Sequence, residues 1–137
     1  MMRTYVDAGV LIAAARGVAP IAIKALEILD DPDREFVSSV FLKLEVLPKA
    51  MYYKNEDEAA FYSTFFDAVT HWAEPLETIV RDAFNEACGR GLAAVDALHV
   101  ASAASLSAEE LVTTERSEKP IHRTHLVRVV SIMPSRV

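Results

Sequence analysis

Short β-prone runs alternate with longer helical patterns along this chain, and that alternation restricts the fold more than any other feature. Thr4-Tyr5-Val6 reads as a strand that ends at Asp7, after which Gly9 and the apolar run Val10 to Ala15 open a helix. Gly17 offers that helix a stop, and Pro20 opens a second one with Ile21, Leu26, Ile28 and Leu29 as its apolar residues. After a turn at Asp30-Asp31-Pro32-Asp33, Glu35 to Ser38 reads as the next strand. Ser38 or Ser39 then caps a helix carrying Leu42, Glu45 and Val46, which Pro48 should end or kink. A helix with Phe61, Phe65, Phe66 and Val69 inward follows, then a turn at Pro75 and a short strand at Glu77 to Ile79. Arg81 to Cys88 and the Ala-rich Leu92 to Leu106 read as helices, with Gly89 and Gly91 ending the first. Glu110 to Thr113 reads as a third main strand, and Leu126 to Ile132 as the last, stopped by Pro134. Such alternation predicts an α/β fold with a mostly parallel central sheet and helices on its faces. No repeat and no internal boundary is visible, so residues 1–137 are expected to form one domain.

Composition narrows the function classes. A hydrophobic fraction of 52% with 25% charged residues is a globular balance, not that of a disordered chain. The lone Cys88 excludes an intramolecular disulfide and argues against a Cys-based zinc site; it is expected as a small buried residue in a reducing, cytoplasmic setting. No apolar run reaches bilayer length, and Arg3 is a poor start for a signal peptide, so no membrane association is expected. The net charge of −6 does not suit a non-specific nucleic-acid binder, yet the charge is unevenly spread. Arg116, Lys119, Arg123, Arg128 and Arg136, with His122 and His125, face a single acid, Glu118, over the last stretch of the chain.

Four acids stand out against this frame. Asp7 and Glu115 sit just beyond predicted strands, where ligands gather in open α/β sheets. Asp96 lies near a helix N-terminus, and Glu45 sits among the apolar Leu44, Val46 and Leu47. Each has a plain structural reading. Asp7 is a natural helix cap, Glu45 can pair with Lys49 one turn on, Asp96 can favour its own helix, and Glu115 can be one solvated charge among several. Their shared end of one sheet favours a site, and four carboxylates suit Mg²⁺ or Mn²⁺, which take oxygen ligands.

The stretches Tyr5-Val6-Asp7-Ala8-Gly9-Val10-Leu11-Ile12, Val37-Ser38-Ser39-Val40 leading to Glu45, Val95-Asp96-Ala97-Leu98-His99-Val100-Ala101-Ser102-Ala103 and Leu111-Val112-Thr113-Thr114-Glu115 resemble those of PIN domains. This is the fold of the VapC-type toxins of bacterial toxin–antitoxin pairs. The resemblance implies a three-layer α/β/α fold and a divalent-metal-dependent endoribonuclease acting on single-stranded RNA. Carried over, Asp7, Glu45 and Asp96 are the core ligands of Mg²⁺ or Mn²⁺, Glu115 stands where the family usually has Asp, and Thr114 resembles the hydroxyl residue that helps hold the site. The resemblance further implies an antitoxin protein as partner and a homodimer. Two departures accompany it: Gly9 has no side chain where members often carry Asn or Ser, and Glu115 is longer than Asp and followed by Arg116. They support the alternative of a non-catalytic PIN-like module that binds RNA or protein.

Three further features complete the reading. His99 falls one turn after Asp96 on the same helical face, either beside the site or as a packed histidine. Arg116, Lys119 and Arg123 begin next to the fourth acid and are candidates for RNA phosphate contact, the other reading being a solvated loop. Trp72, Phe61, Tyr62, Phe65 and Phe66 are expected in the core, with a dimer or antitoxin surface as the alternative.

Overall fold

The computed structural model describes residues 1–134; Arg136 of the basic stretch lies outside them. Five strands form one sheet: β1 (Met2–Val6), β2 (Arg34–Ser38), β3 (His71–Trp72), β4 (Glu110–Thr113) and β5 (Val129–Ser131). Their order is β3-β2-β1-β4-β5, and every pairing is parallel. Six helices cover the two faces: α1 (Ala8–Arg16), α2 (Ile21–Leu29), α3 (Val40–Tyr52), α4 (Glu56–Asp67), α5 (Leu76–Arg90) and α6 (Ala94–Ser105). The fold is the three-layer α/β/α arrangement expected.

Strand alternation builds the two cores. Adjacent residues of a strand point to opposite faces. Tyr5 and Leu111 therefore pack with Ile79, Ala83, Val100 and Ala101 of α5 and α6, while Val6 and Val112 pack with α1 and α4 residues such as Leu11 and Tyr62. Tyr62 and Phe66 are buried, and Phe61, Phe65 and Trp72 pack against them, so the aromatic cluster is core as expected.

Local signals set most boundaries. Gly17 and Gly91 close α1 and α5 with positive φ, Ser39 Oγ accepts the Leu42 N–H at the start of α3, and α2 begins directly after Pro20. Four expectations need correction. The short strand expected at Glu77 to Ile79 is the first turn of α5; Ile79 and Ala83 are buried four residues apart, as a helix requires, and the sheet partner of β2 is His71-Trp72. The helix of Glu45 does not end at Pro48 but runs on to Tyr52, with Pro48 and Leu44 on its exposed face. Gly89 stays helical and only Gly91 ends α5. Cys88 is exposed rather than buried, since it falls on the outer face of α5. Among the described residues no single helix is long and apolar enough to cross a membrane.

At the N-terminal edge of the sheet, Arg34 Nη1 donates to Thr4 Oγ1 at 2.9 Å and to Glu110 Oε1 at 3.1 Å, with both ion-pair side chains largely buried. Truncating one partner of such a pair strands the other. Arg34→Met is expected to cost about 3 kcal/mol in urea denaturation. A cost below about 1 kcal/mol would mean that Arg128, 3.6 Å from the far oxygen of Glu110, compensates the charge instead.

Candidate functional site

The sheet order reverses between β1 and β4, and the acids gather at the C-terminal ends of these two strands, the place where open α/β sheets bind ligands. Asp7 follows β1 directly and is only 7% exposed. Its Oδ1 accepts from the Val10 N–H at 3.4 Å, so it does cap α1. Its Oδ2 accepts from the Thr113 hydroxyl at the end of β4. That same Thr113 oxygen accepts the Glu115 N–H at 2.9 Å, and His122 Nε2 binds the Glu115 carbonyl at 3.0 Å. One hydroxyl thus ties the first acid to the backbone of the fourth.

Glu45 rises from α3 and is partly exposed. It does not pair with Lys49 among the described residues; its Oε1 lies 2.8 Å from His99 Nε2 on α6. The other nitrogen of His99 is 2.7 Å from the Tyr5 hydroxyl, which is 2.7 Å from Ser39 Oγ. His99 is therefore joined to the site rather than packed apart from it. Asp96 is half-buried in the first turn of α6.

Electrostatics show how closely the acids stand. Burial pushes the Asp7 carboxyl from 3.8 up to about 6; the Thr113 hydroxyl, the nearby His99 and the Val10 N–H pull it partly back, and Asp96 adds to the rise. Asp96 is raised first by burial and then by Glu115, with Glu45 adding a smaller push and His99 opposing them. Each of the four acids thus acts on, or is acted on by, another, with Asp96 as their common neighbour. The oxygen-only donor set and this like-charge crowding fit a hard divalent cation. No three of the described His, Cys, Asp and Glu side chains stand together in an arrangement that would hold an ion by themselves.

A model of the PIN domain family matches residues 4–117. The chain belongs to the PIN domain family. All four acids of this PIN domain lie inside the matched range, while β5 and the 3₁₀ turn at Pro120–Arg123 lie beyond it. Comparison with curated protein sequences gives no match. Among solved structures it is similar to VapBC2 from Rickettsia felis bound to a DNA fragment from its promoter, with 16% identity, TM-score 0.72, and 95% and 98% of the two chains covered. DNA-bound VapBC from Salmonella typhimurium matches with 15% identity, TM-score 0.69 and 96% and 98% coverage. VapBC-1 from nontypeable Haemophilus influenzae matches with 20% identity, TM-score 0.67 and 95% and 98% coverage. These likenesses concern the fold.

The structure also accounts for Gly9. A Cβ there would lie 1.9 Å from Thr114 Oγ1, so the space that a side chain at position 9 would enter is filled from β4's side. Thr114 packs on Gly9, and the hydroxyl bonded to Asp7 is that of Thr113, one residue before the expected Thr114. Sequence reading missed the roles of Thr113, Tyr5 and Ser39 because their side-chain partners are remote in the chain, and that of His122 because its partner is a backbone carbonyl; the paired hydroxyls at 113 and 114 were the one visible signal. In the basic stretch, Arg116 Nη1 donates to the Pro134 carbonyl at 2.8 Å and Arg123 Nη1 to the Arg90 carbonyl at 3.2 Å, while Lys119 is exposed.

Two outcomes follow for the metal-free protein. A carboxyl whose folded pKa is raised contributes stability below its unfolded value and loses it as pH rises through about 6. Asp7→Asn keeps one oxygen to accept the Val10 N–H and turns its amide N–H toward the Thr113 oxygen, and it is expected to stabilise the protein in EDTA by about 2 kcal/mol at pH 7.5, a gain that shrinks toward pH 4. Equal stabilities at pH 7.5 would contradict a desolvated, ionised Asp7. In an open helix Gly→Ala gains about 1 kcal/mol. Gly9→Ala is expected instead to cost about 2 kcal/mol, most of it recovered with Thr114→Ala, as thermal melts of the double mutant would show.

Proposed function

We propose that this PIN domain is a divalent-metal-dependent endoribonuclease, the toxin of a toxin–antitoxin pair. The observation that carries the reading is the mutual crowding of Asp7, Asp96, Glu45 and Glu115 at the switch point of the sheet. Asp7, Glu45 and Asp96 would hold Mg²⁺ or Mn²⁺, with Glu115 completing the site. When bound, the ion supplies charge neutralisation and Lewis acidity at a phosphodiester. The chain's own share is placement. Thr113 and the start of α1 fix Asp7, His99 holds Glu45, and Thr113 with His122 holds the backbone of Glu115.

Arg116, Lys119 and Arg123 begin beside Glu115 and supply positive charge for RNA phosphates. Arg116 and Arg123 keep donors beyond those given to their carbonyl partners, since a guanidinium has five. A protein partner has a different surface. Val40, Leu44, Met51 and Tyr52 are exposed along α3 and line a groove of about 640 Å³ with Lys43 and Pro48. That face suits an antitoxin, as the VapBC relatives suggest, or a second copy of the chain. The lone cysteine supports a reducing, cytoplasmic setting.

A second reading, a non-catalytic module binding RNA or protein, rests on the open arrangement of the acids, no three of which enclose a point among the described residues. The two readings part in one assay. Single-stranded RNA is expected to be cut with Mg²⁺ or Mn²⁺, protected by EDTA, and left intact by Asp7→Asn and by Asp96→Asn. Cleavage that persists in both variants rejects the site, and RNA binding without cleavage favours the second reading. Arg116→Glu with Arg123→Glu is expected to weaken RNA binding and flatten its salt dependence; an unchanged salt slope removes the basic stretch from the account.

A further inference from the structure

We propose that Tyr5 and His99 are positioning residues that set the Glu45 carboxylate, through a hydrogen-bond circuit that begins and ends on α3. The inference rests on the metal-site reading above and assigns how one of its ligands is oriented.

The circuit starts at Ser39, the N-cap of α3, whose oxygen accepts the Leu42 N–H at 3.3 Å. Ser39 Oγ is 2.7 Å from the Tyr5 hydroxyl on β1, which is 2.7 Å from His99 Nδ1 on α6. His99 Nε2 then reaches Glu45 Oε1 at 2.8 Å, back on α3. Ser39, Tyr5 and His99 are all buried. Donors and acceptors admit one consistent direction for a neutral ring. Ser39 O–H donates to Tyr5, Tyr5 O–H donates to Nδ1, and Nε2–H donates to the carboxylate. The acceptor demand of Glu45 and the Tyr5 donor thus select the same tautomer from opposite sides of the ring.

The three elements in this circuit each carry one of the core acids or end directly before it. Tyr5 stands two residues before Asp7, His99 three residues after Asp96, and Glu45 is the third acid itself. Glu45 is the longest of the three side chains, with 38% of it exposed, and His99 is its one hydrogen-bond partner among the described residues. Holding a carboxylate in one rotamer through an outer partner changes metal affinity more than it changes folding. Without the Tyr5 hydroxyl, Nδ1 loses its donor. The ring is then free to carry its proton there and to present the Nε2 lone pair to the carboxylate, which releases Glu45.

The test compares wild type with Tyr5→Phe, which keeps the ring volume. ¹⁵N NMR of His99 should show Nε2 protonated in the wild type and a shift toward Nδ1 protonation in the variant. Mn²⁺ titration followed by EPR should show about tenfold weaker binding for Tyr5→Phe, and no further loss when the change is made in a Glu45→Ala background. A wild-type ring protonated at Nδ1 alone, or Mn²⁺ binding by a folded Tyr5→Phe within twofold of wild type, overturns the proposal. So does an undiminished Tyr5→Phe effect in the Glu45→Ala background. If Tyr5→Phe does not fold, His99→Gln, which can offer an amide N–H to Glu45, takes its place: binding that falls less than in His99→Ala supports the circuit, and equal losses oppose it. Failure of the wild type to bind Mn²⁺ at all would instead reject the metal site, and the NMR measurement would still decide the circuit.

Discussion

A carboxylate buried at the junction of β1 and α1 is the constraint on which the rest of the site depends. Asp7 sits where its strand ends, its helix begins and a neighbouring strand ends beside it. Burial alone makes an ionised Asp7 unfavourable, and only hydrogen bonds or positive charge relieve it. The fold supplies the first from Val10 and from Thr113. Of the second it gives only a partial pull from His99, and it places Asp96, itself pressed by Glu115 and Glu45, close by. A chain that only needed to fold would gain by putting neutral residues here, so the arrangement is better explained by a cation than by stability.

The parallel sheet makes this crowding possible. With β1 central and β4 beside it, residues distant in the chain meet at one edge without any local motif joining them. The Thr113 hydroxyl couples Asp7 to Glu115, and the contact of His99 with Glu45 couples α6 to α3. These are long-range bonds between rigid elements, the setting in which a functional group is held most exactly in place by its neighbours' packing.

What the sequence made legible follows the same division. The strand-to-helix switch at Asp7, the cap at Ser39 and the glycine stops at Gly17 and Gly91 are local chemistry, and each was readable from a few adjacent residues. The parallel sheet followed from alternation alone. The two-residue β3 carried too little pattern to see, and the β-branched residues near Ile79 imitated a strand that the buried spacing of α5 overrides. Pro48 misled because a proline on an exposed helix face need not end the helix, and which face is exposed is set by packing that a local stretch of sequence does not reveal. The four acids could be named from placement and resemblance, and His99 could be placed near them, but which contact holds which acid could not be read. The choice of Thr113 over Thr114, and of His99 over Lys49 as the partner of Glu45, depends on contacts spanning up to 106 residues. The membership in the PIN family, matched over residues 4–117, covers the acids and leaves the basic tail to be understood from its own contacts.

The central claim is that these acids share one divalent-metal site, and a crystal soaked in millimolar Mn²⁺ tests it most directly. The account predicts that the strongest anomalous peak lies between Asp7 and Asp96, within reach of Glu45. An ordered site in which those carboxylates hold no peak would contradict it.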